Sequence, residues 1–141
     1  MKISIGSDHA GFELKQKIIK KYSSFDFDDC GTFSDQSVDY PDFGHKVANS
    51  ILKGNAEYGI VVCGSGIGIS IAANRNKGIR AALCTSIEHA ELSRLHNDAN
   101  VLALGARLTK EQDIYSIIDI FFSTNFEGGR HSDRIKKIDY I

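Results

Sequence analysis

The densest chemical signal in the chain is Cys63-Gly64-Ser65-Gly66-Ile67-Gly68, which joins a thiol, a hydroxyl and three closely spaced glycines. Glycines let backbone amides approach a ligand closely and point at it. A helix starting there adds its positive end, so the loop suits an anion or a developing negative charge. Nucleotide-loop patterns do not fit. Counting from Gly64, the sixth position is Ile69, where a dinucleotide fingerprint needs glycine, and no Gly-Lys-Ser/Thr follows. A thiol just ahead of such a helix is expected to titrate below its free value of about 8.5, which suits a nucleophile or general base. Free cysteine is also among the most buried residue types, so position alone leaves Cys63 either reactive or structural. Cys84 reads as a core residue and Cys30 as incidental.

Other polar residues form smaller groups. Asp8-His9 offers a carboxylate and an imidazole, although Asp8 could equally cap a helix. His96-Asn97 follows a helical stretch, where a histidine often complements the helix C-terminus. Arg130 and Arg134 stand at i and i+4, a spacing that turns both guanidinium groups to one side of a helix, where they could grip a phosphate. Arg107 is a further candidate of that kind, and a solvated basic tail is the plainer reading of the C-terminal pair. The histidines at 9, 45, 89, 96 and 131 show no metal-ligand spacing such as HExxH. No metal and no cofactor are expected.

The elements that must position these groups follow from hydrophobic period. Strands are predicted at 2–7, 25–29, 58–63, 80–84 and 100–104, with helical stretches between them. The second strand is charged and therefore an edge. Pro41 suits the first turn of a helix, Ser86 is a plausible N-cap, and Thr109 with Gln112 forms a capping box. A last helix is expected at 130–137. Alternating strands and helices predict one α/β domain over 1–141, a three-layer doubly wound sandwich around a five-stranded parallel sheet. The expected strand order is 2-1-3-4-5. Ligands in such sheets bind beyond the carboxyl ends of the strands where the winding reverses, here between strands 1 and 3. A net charge of −1 argues against nucleic acid or an anionic membrane as partner. Three cysteines without a CxxC pair and an N-terminus too interrupted for a signal peptide make the cytoplasm the expected location.

The blocks GSDHAGFELK, DYPDFG, CGSGIGISIAANR, HNDANVLALGAR and FEGGRH together resemble the type B ribose-5-phosphate isomerases. That family also includes galactose-6-phosphate isomerase subunits and allose-6-phosphate isomerases. The resemblance spans nearly the whole chain. It implies metal-independent interconversion of ribose 5-phosphate and ribulose 5-phosphate through a cis-enediolate. By motif, Cys63 would be the base, with Gly64, Ser65, Gly66, Ile67 and Gly68 holding the enediolate oxygens. His96 would open the furanose ring, with Asp8 nearby and Asn97 binding substrate. His9, Arg107, Arg130 and Arg134 would hold the phosphate, and Tyr40 would line the site. The resemblance further implies a homodimer, or a dimer of dimers, whose sites borrow residues across the interface. Two positions depart from parts of the family. Ile69 stands where one branch has a glutamate base, which places this chain with the cysteine branch. Ser65 stands where many members have threonine, which makes six-carbon sugar phosphates worth testing.

Overall fold

Five parallel strands build the centre of the computed structural model, which describes residues 1–140. They are β1 (Lys2–Ser7), β2 (Asp26–Asp29), β3 (Tyr58–Cys63), β4 (Ala81–Leu83) and β5 (Val101–Gly105). The helices are α1 (Phe12–Lys21), α2 (Tyr40–Leu52), α3 (Ile67–Asn74), α4 (Ile87–Leu95), α5 (Glu111–Ser123) and α6 (Arg130–Lys136). The three-layer α/β architecture is as the alternation predicts, but the order across the sheet is β2-β1-β3-β5-β4 rather than 2-1-3-4-5. Burial explains the correction. All five residues of β5 are buried, whereas β4 is three residues long and only half-buried. A strand covered on both faces needs an unbroken apolar run, and a short, partly exposed one tolerates an edge.

Side-chain alternation splits the core in two. Ile3, Ile5, Ile60, Val62, Leu102 and Leu104 meet α1, α4 and α5. Val61, Cys63, Val101 and Ala103 meet α2 and α3 on the other face. This division obeys right-handed crossovers. Steps toward the β4 edge carry α2 and α3 on one face, and steps back, from β1 to β2 and from β4 to β5, carry α1 and α4 on the other. The expected order would instead have put α4 beside α3.

Local signals are partly obeyed. Pro41 lies in the first turn of α2. Ser86 caps α4, its hydroxyl accepting from the His89 amide. The Thr109–Gln112 capping box does not form: α5 begins one residue after Lys110 with no side-chain cap. Thr109 is instead taken into a turn in which its amide donates to the Gly105 carbonyl at 3.1 Å. Glu111 and Asp113 in the first turn of α5 supply negative charge there. No helix among the described residues is long and apolar enough to cross a membrane.

Phe121 of α5 is fully buried. Phe121→Ala should lower unfolding free energy by about 3–5 kcal/mol, read from urea denaturation at unchanged m-value.

Candidate active site

The winding reverses between β1 and β3, and there a cleft of about 530 Å³ opens, lined by Asp8, Tyr40, Cys63, Gly64, Ser65, Ile67, Gly68, Arg107 and Leu108. Cys63 ends β3 at its floor and is 4% exposed. The chain then turns through Gly66, whose φ of +78° is a left-handed conformation that glycine adopts without strain. That turn brings the Gly66 amide back to donate to Cys63 Sγ at 3.1 Å, which sets the positive end of a backbone dipole against the sulfur. The Ile67 amide donates to Ser65 Oγ at 3.1 Å. Gly68 and the rest of the first turn of α3 lack intrahelical acceptors for their amides, so donors remain at the cleft. Gly66 itself is buried beneath the loop rather than lining the cleft.

Arg107 is in this cleft because β5, not β4, adjoins β3. Cys63 pairs with Gly105 in register. Beyond the strands the Ala106 amide donates to the Cys63 carbonyl and the Arg107 amide to the Gly64 carbonyl, each at 2.9 Å. The backbones touch: a Cβ on Gly105 would lie 2.5 Å from the Ser65 carbonyl oxygen. No carboxylate among the described residues pairs with Arg107, which leaves a free cation in the cleft that the thiol also lines.

Opposite, Asp8 serves both of its readings. One oxygen accepts from the Gly11 amide at 3.1 Å just ahead of α1, and the side chain also borders the cleft. His9 does not line the cleft. Its Nδ1 accepts from the Val38 amide at 3.2 Å, which ties it to the loop that leads into Tyr40. That loop is anchored by a fully buried Lys15, whose ammonium reaches both oxygens of Asp29 at 2.7 and 2.8 Å. The two other cysteines are structural in setting. Burial raises the Cys84 thiol to about 11 and also pushes Cys30 upward.

The remaining candidates lie elsewhere. Helix α4 runs from the carboxyl end of β4 back to the amino end of β5, so His96 at its C-cap sits at the opposite edge of the sheet from Cys63. A strand of five or six residues spans roughly 17–20 Å. His96, Asn97 and Arg134 line a second cleft of about 300 Å³ together with His131, Ile135 and Ile138. Arg130 precedes that wall on α6, exposed like Arg134. Sequence reasoning therefore collected one site, whereas within a single chain its residues fall into two clefts. It also missed Leu108, Glu127 and His131. The last two sit in the FEGGRH block on either side of Gly128-Gly129, and only folding shows that they face His96.

These features define a doubly wound α/β protein with a thiol-and-amide cleft at its switch point. A family model described as Ribose/Galactose Isomerase matches residues 3–138. The chain is 42% identical over 142 residues to ribose-5-phosphate isomerase B of Escherichia coli, covering 99% of this chain and 95% of that one. Among solved structures, ribose-5-phosphate isomerase B of Clostridium thermocellum superposes with a TM-score of 0.96 at 50% identity, over 99% of this chain and 95% of that one. The Thermotoga maritima ribose 5-phosphate isomerase superposes with a TM-score of 0.95 at 52% identity, over 99% and 98%. The chain belongs to the Ribose/Galactose Isomerase family and is an isomerase.

Gly105→Ala tests the contact that assembles the cleft. The added methyl should push the glycine loop away from β5, lowering Tm and kcat together. A thermal melt and a steady-state assay on one preparation check this.

Proposed function

We propose that this chain interconverts ribose 5-phosphate and ribulose 5-phosphate through a cis-enediolate, with Cys63 as the base. The observation that carries the reading is the placement of the Cys63 sulfur at the cleft floor, under the Gly66 amide and beside Asp8, Ser65 and Arg107. As a thiolate, Cys63 takes the proton from C2 of the open aldehyde. The C–H electron pair becomes the C1–C2 double bond, and the carbonyl pair moves onto O1. The amides of the Gly64–Gly68 turn other than that of Gly66, together with the Ser65 hydroxyl, stabilise the enediolate oxygens, as donors aimed at developing charge do. A hydroxyl proton passes from O2 to O1, the thiol returns its proton to C1, and ribulose 5-phosphate results. Carbon 1 is reduced and carbon 2 oxidised within one molecule, so no external hydride donor enters. Asp8, His9 and Tyr40 border or brace the sugar end, and Arg107 draws the phosphate.

The ring-opening residue His96, with Asn97, Arg130 and Arg134, reaches this chemistry through a second copy of the chain. Two features support a shared homodimeric site. The half-sites lie at opposite edges of one rigid sheet. Ile67 and Ile71 are also half-exposed one turn apart on α3, with Leu108 72% exposed beside them at the cleft lip. Large apolar side chains grouped at the mouth of a polar site suit a covering partner.

Complementation tests both parts. Cys63→Ala should abolish isomerisation of ribose 5-phosphate, and Arg134→Ala should raise KM sharply for the phosphorylated sugar. Co-expressed, the two variants form mixed dimers in which one site keeps both native residues, so activity returns. No recovery would mean that each chain works alone. Turnover by Cys63→Ala alone would remove the thiol as base. Running allose 6-phosphate and galactose 6-phosphate alongside reads the pocket left by Ser65.

A further inference from the structure

The chemistry above uses His96 but gives no role to the two residues that surround it. His131 is 5% exposed, and its Nε2 is a buried atom without a hydrogen-bond partner among the described residues. Buried polar atoms are normally paired, so such an atom calls for a functional account. The His131 ring stacks on His96 with centroids 4.3 Å apart and planes within 14° of parallel. One carboxylate oxygen faces both rings beyond hydrogen-bond distance and acts on them through its charge: Glu127 Oε2 lies 3.8 Å from Nε2 of His96 and 3.8 Å from Nε2 of His131. The Glu127 amide donates to the Leu95 carbonyl at 3.1 Å, which pins the acid to the last turn of α4 beside His96.

We infer that Glu127 and His131 are positioning residues for His96. The carboxylate holds the proton on Nε2 of His96, and the buried His131 ring fixes the plane of its neighbour. Nδ1 of His96 is thereby left to exchange protons with the sugar. This rests on the reading of His96 as the ring-opening group. In that step the bond between C1 and the ring oxygen breaks. The ring oxygen takes a proton from His96, and the anomeric hydroxyl loses its proton to water as the carbonyl forms. Water then reprotonates His96.

The charges around the pair fit this division of labour. Burial lowers the His131 pKa first, and His96, Arg130 and Arg134 lower it further, with Glu127 acting in the opposite sense. The His131 ring is thereby biased toward its neutral form. Three donor atoms within 4.8 Å of one another also match a metal site by number. Arg130 and Arg134 add positive charge nearby. A shared proton suits this arrangement better than a cation.

Ribose 5-phosphate enters as a furanose, whereas ribulose 5-phosphate has no furanose form, because its O5 carries the phosphate. Glu127→Gln and His131→Asn should therefore lower kcat/KM for ribose 5-phosphate by about tenfold or more. Opening the ring then becomes the slow step, so the primary isotope effect on kcat/KM with ribose 5-phosphate deuterated at C2 should fall toward one. His131→Gln serves as a second variant if His131→Asn does not fold. An isotope effect left as in the unaltered protein, or no loss of kcat/KM, overturns the inference. A fall in Tm with the isotope effect unchanged marks the pair as structural only and likewise overturns it. Failure of the unaltered protein to consume ribulose 5-phosphate overturns the isomerase reading beneath it.

Discussion

The close approach of two backbones, the turn after β3 and the end of β5, is the constraint on which the rest of the molecule depends. Gly105 lies so near the Ser65 carbonyl that no side chain fits between them. Two amide bonds from Ala106 and Arg107 lock the same edge. The contact exists only because β5 inserts between β3 and β4. Once it is made, Gly66 must turn left-handed, its amide meets the Cys63 sulfur, and α3 starts with its donors facing the cleft. Arg107 follows from the same register. Strand order, loop conformation and the electrostatics of the thiol are thus one problem with one solution.

The sheet separates as firmly as it assembles. Parallel strands place every βα turn at one edge and every αβ turn at the other. Cys63 and Asp8 lie on the first kind of turn, His96 and Asn97 on the second. No side-chain motion spans a full strand length within one rigid sheet. Arginines left unpaired at both edges are costly to concentrate unless an anion neutralises them, and in the proposed function the phosphate of a sugar held between two copies is that anion. The stacked pair of His96 and His131 with Glu127 belongs to the second edge. There a carboxylate tempers the positive charge that two arginines bring.

Much of the fold was legible because it depends on local composition. Burial of β3 on both faces wrote itself into an unbroken apolar run, and the charge of β2 marked it as an edge. The order of β4 and β5 was harder to read because both segments have strand character. What distinguishes them is that Val101–Gly105 is apolar throughout while the observed β4 keeps only three residues in the ladder. The capping box at Thr109 failed for a similar reason. A tertiary turn around Gly105 claimed that residue before the helix could. Glu127 and His131 left no signal in spacing, since a glycine pair separates them and their common neighbour is more than thirty residues earlier.

By itself the sequence determined the kinds of group available: a thiol on a glycine turn, paired arginines, a histidine after a helix, and the α/β alternation that places turns at sheet edges. These are properties of residue type and short period, which local physics controls. Tertiary structure alone decided which groups share a space. It put Arg107 and Cys63 in one cleft, moved His9 to bracing a loop, and sent His96, Asn97, Arg130 and Arg134 to the far edge. The physical reason is that strand order and crossover handedness are settled by burial of whole elements against one another. No local pattern of residues carries that long-range balance.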